Sequence, residues 1–175
     1  DRNSHVRLHR VENGVFDRGK SRRNPVEAQA VIEELCRMSK DEAYKDKSVG
    51  IITFNVEQQD LIEELLQEAC RSNVALSSWC ACAPEPIFVK NLENVQGDER
   101  DVILFSVGYG ADASGKVHMN FGPLNKEGGW RRLNVAVSRA RDEMQIFTSL
   151  TPEQIDLKRS SARGVKALRS FLEYA

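Results

Sequence analysis

The sequence predicts an α/β domain with a mainly parallel β-sheet and helices on both of its faces. Two kinds of segment predict this fold: short β-branched apolar runs typical of buried strands, and stretches with apolar residues at helical spacing. Because the two kinds alternate along the chain, the sheet is expected to be parallel and covered on both sides. With 175 residues, 41% of them hydrophobic, the chain suits one domain, residues 1–175, with a sizeable core.

The first half of the chain predicts an entering strand, two helices and a buried strand. The first helix begins at Asn24, which can cap it. Pro25 follows at a position that suits proline, and Glu27 stands where a capping box places its acidic residue. The predicted ranges are 2–19 for the entering strand and turn, 24–35 for the first helix, 49–54 for the buried strand and 56–70 for the second helix.

The second half predicts three strands and two helices. The strongest strand is 102–107, which we place at the centre of the sheet. Residues 108–123 contain several glycines and are expected to form an exposed excursion. The other predicted ranges are 72–86 for an irregular stretch, 87–89 for a strand, 130–141 for a helix, 144–148 for a strand and 165–172 for a final helix.

Charge and cysteine content exclude several classes of protein. With 25 Lys and Arg against 26 Asp and Glu, the chain is not a generally basic nucleic-acid coat, and any such contact needs a local patch. No apolar run approaches the roughly 20 residues of a membrane span, and the N-terminus does not resemble a signal peptide. We therefore expect a cytoplasmic protein with reduced cysteines and no membrane partner. No metal site is predicted from the spacing of Cys36, Cys70, Cys80, Cys82, His5, His9 and His118.

Two segments match or approach the phosphate-loop pattern of nucleotide-binding proteins. Gly14–Ser21 fits the pattern letter for letter, yet a polar stretch precedes it and Pro25 would interrupt the helix that should follow. Asp17 would also place a carboxylate inside the phosphate cradle. Gly110–Lys116 follows a good strand, but Val117 stands where the pattern needs a hydroxyl. We predict that neither segment is a nucleotide loop.

A polar, glycine-containing loop connects two predicted strands at Asn91–Asp101. Polar loops at the carboxyl ends of parallel strands are where α/β sheets bind their ligands. Gly97 would let a backbone amide approach a phosphate, and Gln96 and Glu99 could bond a ribose or a water molecule. An ordinary solvated connection explains the same composition, so this loop alone decides nothing.

Two arginines near the end of the predicted helix 130–141 are not explained by packing. Arg139 and Arg141 come directly before a buried strand. They could stabilise the helix by interacting with the negative end of its dipole. Alternatively, one of them could be an arginine finger, which neutralises the charge that develops on a γ-phosphoryl group during its transfer.

Four blocks, taken together and in order, resemble a known family. The chain resembles the second RecA-like domain of superfamily 1 helicases, in the branch that contains the RNA-surveillance helicase and its DNA-directed relatives. The motifs lie within residues 24–150, and 151–175 would be a helical extension. The blocks are Asn24-x-x-Glu27-Ala28, Ile52-Thr53-Phe54-x-x-x-Gln58, Val95-Gln96-Gly97-Asp98-Glu99-x-Asp101 and Arg132-Leu-Asn134-Val-Ala-Val-Ser138-Arg139-Ala-Arg141.

The resemblance implies a mechanism and a set of partners. Such helicases bind ATP between two RecA-like domains, so ATP and Mg²⁺ would be bound mainly by a first domain elsewhere in the parent chain. This fragment alone would then be inactive. The second implied partner is single-stranded nucleic acid, with DNA favoured over RNA. The implied residues are Arg139 as the catalytic arginine finger, Gln58, Gln96, Gly97, Glu99 and Arg141 for nucleotide, and Thr53 and Asn91 for the nucleic-acid backbone.

One position departs from the family pattern, and two other functions remain as alternatives. Relatives often carry an arginine where this chain has Pro25, and Arg22 or Arg23 could take its place. The first alternative is a nucleic-acid-binding module without motor activity, which would bind strands regardless of nucleotide. The second is a self-contained NTPase that uses Lys20, against which the position of Pro25 argues.

Overall fold

Within residues 5–175, the part that the computed structural model describes, five strands form one sheet in which every pair is parallel. Residues 1–4, which include the start of the predicted entering strand, lie outside the described residues. The strands are β1 (Val6–Arg10), β2 (Val49–Thr53), β3 (Phe88–Asn91), β4 (Arg100–Ser106) and β5 (Ala140–Thr148). Their order is β1-β5-β4-β2-β3, so the strand predicted to be central is central.

Helices cover both faces of this sheet. In the described residues they are α1 (Pro25–Met38), α2 (Val56–Ser72), α3 (Val74–Cys82), α4 (Gly129–Val137) and α5 (Arg163–Tyr174). The first three pack over one buried apolar cluster, and α4 and α5 pack over a second cluster on the opposite face. This three-layer RecA-like arrangement confirms the predicted fold class. None of the helices in residues 5–175 has both the length and the apolar character needed to cross a bilayer.

Strand β4 shows why its sequence is apolar without alternation. Ile103 and Phe105 belong to the cluster under α4 and α5, whereas Val102 and Leu104 belong to the cluster under α1 to α3. All four side chains are buried. A strand with helices on both sides must be apolar at every position, which is the pattern on which its prediction rested.

The start of α1 differs in one detail from the prediction. Asn24 caps the helix as expected, because its side-chain oxygen accepts a hydrogen bond from the backbone N–H of Glu27 at 3.2 Å. The predicted capping box is wrong, since the backbone N–H of Asn24 donates to Gln58 and not to Glu27. The carboxylate of Glu27 turns inward, toward the end of β4, where it accepts a hydrogen bond from Ser106.

Helix α3 lies inside the stretch that the sequence predicted to be irregular. Asn73 caps it by accepting a hydrogen bond from the backbone N–H of Leu76 at 3.1 Å, and the side chains of Leu76 and Trp79 are buried. The helix has nine residues and small or apolar side chains all round. A pattern search for an amphipathic stripe therefore could not find it.

The excursion after β4 is less exposed than predicted. Tyr109 and Phe121 are buried, and their rings meet edge to face with centroids 5.5 Å apart. The exposed residues of the excursion are the tip, 113–116, and Asn120. Farther along the chain, α4 ends at Val137 and β5 already begins at Ala140. Arg139 therefore lies in the short turn between helix and strand, and not inside the helix.

The segment Gly14–Ser21 does not have the geometry of a phosphate loop. It forms a turn in which a carboxylate oxygen of Asp17 accepts hydrogen bonds from the backbone N–H and the hydroxyl of Ser21, at 3.1 and 2.7 Å. No helix follows this turn until Pro25. The backbone amides of a phosphate loop point at the ligand from a helix N-terminus, and Asp17 uses the Ser21 amide here.

Candidate nucleotide and nucleic-acid sites

The glycine-containing motif and the arginine-containing motif lie side by side where β4 and β5 begin. The backbone N–H of Arg100 donates to the carbonyl oxygen of Arg139 at 3.1 Å and ties one segment to the other. The side chains of Glu99 and Arg139 therefore emerge as neighbours, with Nη1 of Arg139 4.0 Å from Oε1 of Glu99. We call this group the amino-end cluster; its members are Gly97, Glu99, Arg139, Arg141, Glu85 and Asp101.

The guanidinium of Arg139 is partly fixed by the helix that precedes it. Its Nε donates to the carbonyl oxygen of Val135 at 3.0 Å, and its Nη2 donates to the hydroxyl oxygen of Ser138 at 3.0 Å. The first of these bonds satisfies a carbonyl at the end of α4, where a cation also interacts well with the helix dipole. The remaining nitrogen, Nη1, faces Glu99 beyond hydrogen-bonding distance. Two hydrogen bonds therefore fix the orientation of the Arg139 guanidinium, and its Nη1 remains available to bind another group.

Arg141 is surrounded by carboxylates. Its Nη1 donates to Glu85 at 2.9 Å and to Asp101 at 3.4 Å, and its Nε lies 3.8 Å from Glu99. The hydrogen bond from Arg141 lowers the pKa of Glu85 below its ordinary value. Exposed ion pairs of this kind each stabilise a fold only slightly. Their effect here is to hold Glu99 and the turn after α4 in a defined arrangement.

Gly97 has a backbone that favours glycine. Its φ is +88°, in the left-handed region where other residues are strained. Gln96, Gly97 and Glu99 are all exposed, so the turn that they form presents backbone and polar side chains to the solvent. Next to it, the carboxylate of Asp98 forms an ion pair with Lys90, which fixes the turn against strand β3.

The position of this turn corrects one expectation. The connection from Asn91 to Asp101 was predicted at the carboxyl ends of the strands. The structure places Asn91 there, beside Thr53 in the sheet, but it places Gly97 and Glu99 at the opposite end, where β4 begins. The connection runs along the face of the sheet, and buries Leu92 and Val95 on the way, so one loop contributes to two separate places.

Gln58 lies far from the amino-end cluster. Its side chain is fully buried: Oε1 accepts from the backbone N–H of Asn24 at 2.8 Å, and Nε2 donates to the carbonyl oxygen of Asn24 and to Ser106. Ser106 ends the seven-residue strand that Arg100 begins, so Gln58 and Arg139 are roughly 20 Å apart. The structure does not bring Gln58 together with the other predicted nucleotide residues, and its polar atoms join α1 to β4.

Glu27 is a buried acid in the same network. Its two carboxylate oxygens accept hydrogen bonds from the backbone N–H of Gly108 at 2.6 Å, the Ser106 hydroxyl at 2.8 Å, the Ser149 hydroxyl at 3.1 Å and the Asn24 amide at 3.4 Å. Burial nevertheless raises the pKa of Glu27 to about 7, although the bonds from Gly108 and Ser106 oppose the rise. The sequence suggested only a capping role and missed this network, which joins α1 to the ends of β4 and β5.

The two residues predicted to contact nucleic acid lie at the carboxyl ends of β2 and β3. The Thr53 hydroxyl is buried and donates to the carbonyl oxygen of Asn55 at 2.7 Å. The Asn91 side chain donates to Gln59 at 2.8 Å and accepts from the backbone N–H of Glu93. Both side chains therefore shape the backbone around a groove of about 500 Å³, the carboxyl-end groove, whose lining includes Asn55, Asn91, Asn120, Pro123, Asn125 and Lys126.

Arg22 and Arg23 also lie near the carboxyl ends, where each is paired with an acid of α2. Arg22 lies 3.3 Å from Glu57, and Arg23 lies 3.2 Å from Glu64. Arg22 also lines the carboxyl-end groove. Neither arginine is part of the amino-end cluster, so the structure does not place either of them beside Arg139.

The carboxylates of the described residues are not arranged for a divalent cation. Within residues 5–175, no group of three or more Asp, Glu, His or Cys side chains could hold a metal ion. The acids of the amino-end cluster are instead paired with arginines. The side chains of residues 5–175 therefore do not fit a resident Mg²⁺ site.

Comparisons with known proteins agree with this architecture. A family model described as an AAA domain matches residues 3–151. A protein of Mycoplasma genitalium named as an uncharacterized ATP-dependent helicase is 39% identical over 172 residues, which are 95% of this chain and 14% of that protein. The homologue from Mycoplasma pneumoniae is 35% identical over 172 residues, with the same coverage of both chains. The chain spans about 14% of the length of these two relatives.

Proposed function

Because the chain belongs to the AAA-domain family, as the C-terminal domain of a superfamily 1 helicase, we propose that it is the second motor domain of an ATP-dependent helicase. The observation that carries this proposal is the amino-end cluster. In it, the side chains of Glu99 and Arg139 are neighbours because a backbone hydrogen bond joins their two segments. The two motifs are 40 residues apart in the sequence, and folding makes them one surface.

In this proposal, Arg139 is the arginine finger. A first RecA-like domain would present ATP to the amino-end cluster, and the uncommitted Nη1 edge of Arg139 would approach the γ-phosphate. A guanidinium there neutralises charge that develops on the phosphoryl group during its transfer. Glu99 would turn from Arg139 to the ribose or to a water molecule, and the exposed backbone at Gly97 would face the phosphates.

Arg141 has a supporting part in the same mechanism. Its guanidinium is already paired with Glu85 and Asp101. We therefore propose that Arg141 orients Glu99 and does not contact phosphate directly. ATP and Mg²⁺ would be bound mainly by the first domain. The chain on its own should therefore not turn over ATP, with or without Lys20.

The carboxyl-end groove is the proposed contact with single-stranded nucleic acid. It is lined by amide side chains, by Lys126 and Arg22, and by two acids, of which Glu57 is paired with Arg22. The amides and Lys126 are groups that bond phosphate and sugar without reading base sequence. The buried bonds of Thr53 and Asn91 would set the backbone of this groove. DNA is the favoured strand, and the alternative of RNA is part of the test below.

The test is ATP hydrolysis by the parent protein with Arg139→Ala. We expect a loss of a thousand-fold or more, because arginine fingers contribute about 10³–10⁵ to turnover, while ATP binding is largely retained. The matched control is Arg71→Ala, an exposed arginine on α2 paired with Glu68, which should leave turnover unchanged. DNA and RNA strands are compared as activators.

Because Arg139 also bonds the end of α4, thermal unfolding of each variant must accompany the kinetics. Near-normal turnover by a folded Arg139→Ala protein would remove the arginine-finger assignment. Turnover by the 175-residue chain alone that disappears in Lys20→Ala would show that Gly14–Ser21 binds phosphate after all.

A further inference from the structure

A second groove lies between α4 and α5, apart from both places described above. It has a volume of about 710 Å³, within the roughly 300–1,000 Å³ of ligand-binding pockets. Its walls combine an aromatic ring, a few aliphatic side chains, hydroxyl groups and cations. We call it the α4–α5 groove; the lining residues that matter are Trp130, Leu157, Ser160, Arg163, Lys166 and Ser170.

The charge of this groove is positive. Arg163 and Lys166 line it, and the guanidinium of Arg131 lies 5.3 Å from the ring centre of Trp130. Within the part of the chain that the structure describes, none of these three cations forms an ion pair. The acid of α5, Glu173, is paired with Arg169. Residues 129–175 contain nine Lys and Arg against five Asp and Glu, although the whole chain has a net charge of −1.

Helix α5 adds to this imbalance. It begins with Arg163, its N-cap residue Ala162 offers no side-chain bond, and its first turn contains no acid. Cations at a helix N-terminus are disfavoured by the dipole. An anion in the groove would offset the charge of these cations at the helix end. The charge and the helix end therefore both indicate an anionic ligand.

Trp130 fixes one of the cations in advance. The guanidinium of Arg163 lies 3.8 Å from the ring centre of Trp130, a cation–π contact. A guanidinium held against a ring loses less rotamer entropy when it binds phosphate than a free side chain does. With one face of the ring occupied by Arg163, we expect the groove to bind a backbone and not to stack a base.

The α4–α5 groove is separated from the carboxyl-end groove by a single turn of chain, Gly122–Asn125. On one side, Gly122, Pro123 and Asn125 line the carboxyl-end groove. On the other side, the starts of α4 and α5 pack against the same turn so closely that a Cβ at Gly129 or Gly164 would overlap its backbone. A strand of several nucleotides can therefore reach both grooves.

We propose that the α4–α5 groove binds the sugar–phosphate backbone of a single-stranded nucleic acid that continues from the carboxyl-end groove across the turn Gly122–Asn125. Arg163 and Lys166 neutralise phosphates, and the hydroxyl groups of Ser160 and Ser170 lie where they can donate to phosphate oxygens. That the anionic ligand is a nucleic acid rests on the proposed function. The binding test below does not depend on ATP hydrolysis.

The chain offers a direct reporter for this test. It contains two tryptophans, of which Trp79 is buried and donates to the carbonyl oxygen of Tyr44. In a Trp79→Phe background, fluorescence comes from Trp130 in the groove. The probe is a thymidine oligonucleotide of about 20 residues, titrated at about 50 mM and 200 mM salt. We expect a saturable change in Trp130 emission whose affinity falls steeply with salt.

Lys166→Glu tests the groove, and Lys40→Glu is its matched control. Lys40 is exposed at the end of α1, on the opposite face of the sheet, and undergoes the same change of charge. We expect Lys166→Glu to weaken binding about ten-fold or more and to flatten the salt slope by about one unit. Lys40→Glu should stay within about two-fold of the parent affinity. Circular dichroism checks that both variants are folded.

Three outcomes would overturn the inference. The first is an oligonucleotide that does not bind or leaves Trp130 emission unchanged. The second is an equal change with polyglutamate, since the groove would then bind any acidic polymer, protein partners included. The third is weaker binding in Lys126→Glu, within the carboxyl-end groove, but not in Lys166→Glu. In that third case the nucleic-acid contact proposed above survives and only the α4–α5 groove is excluded.

Discussion

The buried acid Glu27 should make the stability of this protein depend on pH in an unusual direction. Burial raises its pKa from the ordinary 4.5 to about 7 in the folded chain. The folded state therefore binds the proton more tightly than the unfolded state does. Its contribution to stability is fully present below about pH 4.5 and is lost as the pH rises through 7.

The size of this effect follows from the shift. One pKa unit corresponds to about 1.4 kcal/mol, so the Glu27 contribution to the free energy of unfolding should fall by roughly 2–3 kcal/mol between pH 5 and pH 8. Glu27→Gln keeps the shape of the side chain and an oxygen that can accept from Gly108, and it cannot ionise. The variant should therefore gain stability relative to the parent by that amount across the same pH range.

The assay is urea unfolding at several pH values, with Glu33→Gln as the matched control. Glu33 lies on the same helix with its side chain exposed, so its replacement should change the free energy of unfolding little at any pH. The reasoning about Glu27 is refuted if the difference between Glu27→Gln and the parent is the same at pH 5 and pH 8. It is also refuted if the free energy of unfolding of Glu27→Gln falls relative to that of the parent as the pH rises.

Two further predictions concern packing and capping. Gly164→Ala should lower the free energy of unfolding by about 1–3 kcal/mol, because its Cβ would overlap the carbonyl group of Leu124. The control Ala167→Gly, on the same helix, shows how much of a change comes from helix propensity. An unchanged melting temperature in Gly164→Ala would contradict the close packing. Asn55→Ala should cost about 1–2 kcal/mol, because it removes the cap on the Gln58 backbone N–H and the bond to the carbonyl oxygen of Arg22. Asn55→Asp keeps the cap and should recover part of the lost stability in urea unfolding. If Asn55→Asp is no more stable than Asn55→Ala, the cap contributes little.

The elements that the sequence predicted well are those with a single dominant pattern. Strand β4 is apolar at every buried position except Ser106, and α1 starts with an asparagine cap followed by Pro25, so the first residue of each element was placed to within two residues. Helix α3 was missed because it shows no stripe of apolar residues. The start of β5 was placed late because residues 141–143 are charged. Their strand conformation is set by pairing with β4, which is a long-range contact.

The candidate sites divide in the same way. The resemblance to the helicase family grouped Arg139, Glu99 and Gly97 as one set, and the structure brings their segments together at one end of the sheet. The predicted end of the sheet was wrong for Gly97 and Glu99. The connection of eight residues between β3 and β4 crosses the sheet without a helix, so these residues lie where β4 begins. The α4–α5 groove was not predicted, since Trp130 and Arg163 are 33 positions apart and only the packing of two helices makes them neighbours.

Helix α4 links the two ends of the sheet mechanically. At nine residues it is about 13 Å long, with the turn that carries Arg139 at its last residues and Trp130 at its first turn. Because Gly129 packs tightly against Pro123, the start of the helix has little room to yield. In the function proposed above, a displacement of Arg139 would therefore be transmitted through α4 to the wall between the two grooves. A nucleotide at one end of the sheet and a nucleic-acid strand at the other would then both act on this one helix.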